Sequence, residues 1–137
     1  MKLTLHIGHY KTGSTAVQEH FSRNRAAYRK QGLLYPKTGK VIRSRRCHSG
    51  LAFQELHAAG RRVAKWYSAT KEFKEFAAGK RSPLREAMLG EIEAKDADHV
   101  FISTEEFIRF GGPRGVPAAR AEQLVDGFGA DAVHVVC

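Results

Sequence analysis

The stretch that most constrains this chain is Leu5-His6-Ile7-Gly8-His9-Tyr10-Lys11-Thr12-Gly13-Ser14-Thr15, an apolar strand running into a glycine-bounded turn that opens a helix. Alternation at Leu3, Leu5 and Ile7 predicts a strand over Lys2 to Ile7. Helical spacing at Val17, Phe21 and Tyr28 predicts a helix that begins at Thr12 to Ser14 and ends near Gln31, with Gly32 as its stop. Two glycines, a lysine and three hydroxyls lie in the turn. Successive backbone N–H groups in such a turn can point at one anion, and the helix adds the positive end of its dipole.

Beyond the turn, apolar runs and helical segments alternate. Leu33-Leu34-Tyr35, closed by Pro36, predicts a second strand, and Pro36 to Arg46 reads as a basic loop broken by Gly39. From Ser49 the pattern is helical again, with Ala52, Leu56, Ala59, Val63 and Trp66 on one face; Gly60 weakens its middle by about 1 kcal/mol relative to Ala and is placed to divide it into two pieces. Phe73, Phe76 and Ala77 predict a short amphipathic helix over Thr70 to Ala78. Ser82-Pro83 then predicts an N-cap and first helical position for a helix ending near Lys95, with Leu84, Ala87, Met88 and Ile92 as its core stripe.

Val100-Phe101-Ile102 is a continuous apolar run of the kind found in central parallel strands, and it ends in Ser103-Thr104-Glu105-Glu106. Phe107 to Phe110 predicts a helical turn, and Pro117 opens a last helix with Ala118, Ala121, Leu124, Val125 and Phe128 inward. Asp131 to Cys137 predicts another buried strand. This alternation predicts an α/β fold, a three-layer α/β/α arrangement around a central parallel sheet, in one domain over residues 1–137. Ligands of such sheets bind at the carboxyl ends of the strands, where the Gly8 to Thr15 turn and the Ser103 to Glu106 tetrad both fall.

Charge narrows the partners. The chain carries 23 Lys and Arg against 14 Asp and Glu, a formal net charge of +9, which favours polyanionic ligands. Nucleic acid satisfies the charge, but no nucleic-acid motif or aromatic-basic platform accompanies it. Two cysteines, Cys47 and Cys137, make no disulfide framework and suit a reducing compartment. With no run approaching a membrane span and no secretion signal, the expectation is a soluble, cytoplasmic protein. His6, His9, His20, His57, His99 and His134 show no metal-ligand spacing, so no metal is expected.

Against the triphosphatase pattern GxxxxGK[ST], Gly8 and Gly13 have the right separation, but Ser14-Thr15 follows where Lys-Ser or Lys-Thr is required. The lysine sits inside the turn, at Lys11. The full string through Ala16-Val17-Gln18 resembles the 5′-phosphosulfate-binding signature of sulfotransferases, in particular a bacterial branch with KTG[ST]T. That resemblance continues in Gly32 to Pro36, Cys47 to Ala52, Ile102 to Phe107 and the final strand.

The resemblance implies a fold like that of the P-loop nucleotide kinases, with 3′-phosphoadenosine 5′-phosphosulfate (PAPS) as co-substrate and an acceptor hydroxyl, such as one on a carbohydrate. It further implies that Gly8, Lys11, Thr12, Gly13, Ser14 and Thr15 hold the 5′-phosphosulfate, with Lys11 at the bridging oxygen and Ser103 as a neighbouring polar contact. Two residues stand as candidates for the base that accepts the acceptor's proton, His48 and Glu105. The resemblance covers the amino-terminal portion of that domain. The arginine and serine that hold the 3′-phosphate in the family have no counterpart among these 137 residues. Two alternatives accompany this reading: a non-catalytic basic nucleotide- or anion-binding module, and a P-loop kinase-like phosphotransferase.

Overall fold

Strand β1 (Lys2–His6) pairs in parallel with β3 (His99–Ser103) on one side and with β4 (Ala132–Val136) on the other, while β2 (Leu33–Leu34) pairs in parallel with β3. The sheet order is therefore β2-β3-β1-β4, all parallel. The structure is a computed structural model and describes residues 1–8, 13–41 and 46–137. Parallel pairing places register partners on the same face, so the two faces can be read from sequence parity. Leu3, Leu5, Val100, Ile102 and Leu34 form one face, and they pack with Leu51, Ala52, Met88, Ile92, Leu124 and Phe128 in a single apolar core. Those partners come from α3 (Ser49–Ala58), α6 (Leu84–Lys95) and α7 (Ala118–Asp126) with the residues just after it.

Thr4, His6 and Phe101 form the other face. Phe21 of α1 (Ser14–Arg23) stacks on Phe101 with ring centroids 4.3 Å apart and on Tyr28 of α2 (Arg25–Arg29) at 4.5 Å. Helices thus lie against both faces, an arrangement compatible with the expected three layers. The short α4 (Lys65–Ser68) and α5 (Lys71–Ala77) complete a second apolar cluster around Phe53, Leu56, Tyr67 and Phe73.

Several expectations are corrected in detail. The first helix is interrupted at Asn24, whose side-chain amide donates to the carbonyl of His20 at 2.9 Å, an example of Asn competing for helix backbone groups. Gly32, with φ +80°, then ends the second piece as expected. Val17 does not face the core but is 38% exposed, because α1 turns Ser14 and Gln18 inward instead.

The stretch read as helical from Ser49 is divided at Gly60, as its glycine suggests: with φ +67° there, α3 stops at Ala58 and Trp66 belongs to the separate turn α4. Pro83 precedes α6 as its cap residue and Leu84 takes the first helical position. In α7, Ala118 is exposed and Leu124 carries the buried contact. Strand β4 is not buried: Val133, Val135 and Val136 are all exposed, Val135 at 60%. A β-branched run specifies a strand, whereas its depth in the sheet depends on what lies on either side.

Candidate functional site

The turn leaves β1 through Ile7 and Gly8. At Gly8 φ is +38°, and a Cβ there would lie 3.0 Å from Ser14 Cβ and 3.4 Å from the His6 ring, so the chain passes here only as glycine. Helix α1 opens behind Gly13, which has a left-handed φ of +84° and no side-chain cap, and a Cβ on Gly13 would meet no atom of the described residues within 4 Å. Lys11 and Thr12, expected to grip the phosphosulfate, lie outside the described residues, as do Arg43 and Arg45 of the basic loop.

Facing the helix start is the carboxyl end of β3. Thr104 leaves the strand, and its backbone N–H donates to the His6 carbonyl at 3.1 Å. Its hydroxyl accepts the Glu106 N–H at 3.2 Å, capping the 3₁₀ turn Glu105–Arg109. This turn presents Glu105, whose carboxylate accepts a hydrogen bond from the Ser14 hydroxyl. Two segments separated by about ninety residues of chain are thereby joined at one sheet edge. Behind them, Cys47 Sγ, Ser49 Oγ and Thr104 Oγ1 form a buried hydrogen-bonded chain with successive separations of 3.0 Å.

Ser103 and His48 are both fully buried. The Ser103 hydroxyl turns inward, 2.7 Å from Nδ1 of His6, its register partner on β1. His48 accepts the Ser103 N–H at Nδ1 (3.0 Å), and its Nε2 lies 3.0 Å from the Pro36 carbonyl, which fixes the tautomer with the proton on Nε2. Its own backbone N–H donates to the Ser103 carbonyl at 2.7 Å. Burial pulls its pKa down to about 4, so the ring stays neutral. Of the two candidate bases, His48 pins the β2 exit to the β3 end, and Glu105 is partly exposed at the turn.

Thr15, Gln18, Arg46, Trp66, Glu105 and Glu106 line a cleft of about 180 Å³ at this edge. Arg46 lies 3.7 Å from Glu19 and brings a positive charge to its rim. The sequence pattern gives His6 no chemical role of its own. Its position was nonetheless legible, since it ends the strand that feeds the turn. Burial lowers its pKa, against an opposing pull from the Glu105 carboxylate. Among the described residues no group of three or more His, Cys, Asp or Glu is arranged to hold a metal.

Fold and site together define an α/β protein with a glycine turn, a helix start and an acidic strand end converging at the carboxyl edge of a parallel sheet. No protein-family model matches the chain, and no curated protein or solved structure is significantly similar to it. None of the helices among the described residues is long and apolar enough to cross a membrane.

Proposed function

We propose that this chain carries the 5′-phosphosulfate half of a PAPS-dependent sulfotransferase site. The observation that carries the reading is the meeting of the uncapped α1 start, behind Gly13 and Ser14, with Glu105 at the end of β3. PAPS as co-substrate supplies a sulfuryl group on a phosphate leaving group. The acceptor oxygen forms a bond to sulfur while the bond from sulfur to the bridging phosphate oxygen breaks, and the electron pair departs on that oxygen. Lys11 neutralises the charge that builds there, and the N–H groups at the α1 start with the Thr15 hydroxyl hold the non-bridging oxygens, while the Ser14 hydroxyl stays donated to Glu105.

Glu105 takes the acceptor's proton. His48 is the weaker candidate, because both its ring nitrogens are committed to backbone groups. Ser103 supports this arrangement from beneath by holding His6, and does not reach ligand.

One observation favours a second reading. A carboxylate from a neighbouring strand end bonded to the serine that opens the helix is also how phosphotransferases with a P-loop prepare a magnesium site. Titration with adenosine 3′,5′-bisphosphate and with ATP plus magnesium separates the two. Magnesium-independent binding of the bisphosphate through its 5′-phosphate is expected, and binding of ATP that requires magnesium transfers the site to the kinase-like reading. Equal binding of both and of plain sulfate esters marks a non-catalytic anion module. In the same assay Lys11→Ala removes bisphosphate binding while circular dichroism stays unchanged; undiminished binding refutes the role given to Lys11.

A further inference from the structure

A groove of about 870 Å³ lies beside β2, the outer strand of the sheet, between α2 and the last turns of α6. Arg25, Arg29, Lys30, Lys37 and Lys95 border it, and Glu91 is the single carboxylate on its wall. No wall residue adjoins residues 9–12 or 42–45, and those two stretches contain no Asp or Glu, so every acidic side chain of the chain belongs to the described residues. Glu93, Asp96 and Asp98 flank Lys95 in sequence and line none of the groove.

The fold holds two of these cations in position. Arg25 donates from Nε to the Tyr35 carbonyl at 2.9 Å, and Arg29 donates to the Lys95 carbonyl at the end of α6. Both side chains are half-buried, and each keeps donors beyond the one it spends on a carbonyl. They stand one turn apart on α2, where like charges repel. Lys30, Lys37 and Lys95 are exposed, and their ammonium groups make no hydrogen bond or ion pair with the described residues. Glu91, by contrast, is already committed. Its Oε1 accepts the Lys37 N–H and its Oε2 the Thr38 N–H, both at 2.8 Å. Burial works against its charge, but those amides and the Arg25 guanidinium outweigh burial and hold its pKa below the usual glutamate value.

A concave wall with five cations and one committed carboxylate calls for an anion, and the rest of the wall selects which. Ala26, Leu34 and Thr38 complete it, with no aromatic ring on which a nucleic-acid base could stack. None of the exposed large apolar side chains among the described residues borders the groove, so this face has nothing to bury in a bilayer. An extended acidic peptide alternates its side chains and turns a carboxylate toward the groove only about every 6–7 Å. Phosphate groups on neighbouring atoms concentrate charge more densely, and their oxygens match guanidinium forks already held in place with ammonium groups around them. From this geometry we infer that the groove beside β2 is a second anion site, apart from the glycine turn, and takes a soluble ligand carrying several adjacent phosphate groups. A linear polyphosphate and a polyphosphorylated cyclitol share that chemistry. The site does not depend on the sulfotransferase reading.

Isothermal titration calorimetry of the intact chain at about 0.15 M salt compares sodium tripolyphosphate and inositol hexakisphosphate with hexaglutamate and a short oligothymidylate. At least one phosphate ligand is expected to bind saturably and more tightly than either control. Whether the linear or the cyclic ligand binds more tightly distinguishes the two sources, and either result upholds the site. Combining Lys30→Gln, Lys37→Gln and Lys95→Gln removes charge without removing a side-chain bond seen in the structure. That triple variant is expected to weaken the phosphate ligand by about tenfold or more with an unchanged circular dichroism spectrum. Lys11→Ala, in the turn after β1, is expected to leave the affinity within about twofold.

No response to either phosphate ligand up to about 1 mM, equal or tighter binding of hexaglutamate or oligothymidylate, or an affinity that the triple variant leaves untouched overturns the inference. Binding that Lys11→Ala abolishes and the triple variant preserves moves the phosphates to the glycine turn, and the groove falls while the anion-gripping turn stands.

Discussion

His48 illustrates how burial decides what a residue can do. In water its imidazole would exchange protons near pH 6.5, but inside the protein both nitrogens face backbone groups and the pKa falls to about 4. Because the folded pKa lies below the unfolded one, the unfolded chain binds a proton first as pH falls. The stabilisation from the neutral ring is present in full above pH 6.5 and is lost progressively down to about pH 4. This single group then accounts for about 3 kcal/mol of lost stability. The burial-lowered pKa values of His6 and His99 act in the same direction. Urea unfolding between pH 7 and 4 is expected to show this decline, and His48→Gln to flatten it while lowering stability at pH 7. An unchanged slope in the variant would assign the pH dependence elsewhere.

At the scale of elements, two helical glycines carry opposite expectations. Gly50 lies in the first turn of α3 against the basic loop, and its N–H donates to the Gly39 carbonyl at 2.9 Å. A Cβ there would come within 2.8 Å of that carbonyl oxygen and 2.9 Å of Leu84, so Gly50→Ala forces backbone apart and costs about 1–3 kcal/mol. Gly90 lies within α6 with nothing inside 4 Å of an added Cβ, so Gly90→Ala stabilises by about 0.5–1 kcal/mol. Thermal unfolding of the two variants tests both signs. The contrast also explains why α3 sits so close to the turn after β2: only glycine permits the contact that brings His48, one residue before the helix, under β3.

For the whole molecule, the sheet is asymmetric. β1 and β3 are enclosed, while β4 presents Val133, Val135 and Val136 at an edge. Exposed apolar edge strands template pairing with other chains, so concentration-dependent association of residues 1–137 is expected by light scattering, and Val135→Lys is expected to reduce it without lowering the melting temperature. From the residues alone, strand and helix alternation, the β1 turn, the central place of Val100 to Ile102 and the meeting of Gly13-Ser14 with Ser103 to Glu106 at one edge were all legible. Each rests on local pattern, parity and the rule for parallel sheets. What the tertiary structure decided is which polar residues point where. Val17 spaced correctly for a core yet faces out, because the buried side of α1 is given to Ser14 and Gln18. His48 and Ser103 look like surface chemistry in the sequence and are core hydrogen-bonding groups in the fold. Glu105, of similar sequence character, reaches Ser14 at the turn. Periodicity specifies which residues share a face of an element, but the partner packed on that face sets burial, tautomer and charge, and those partners come from distant parts of the chain.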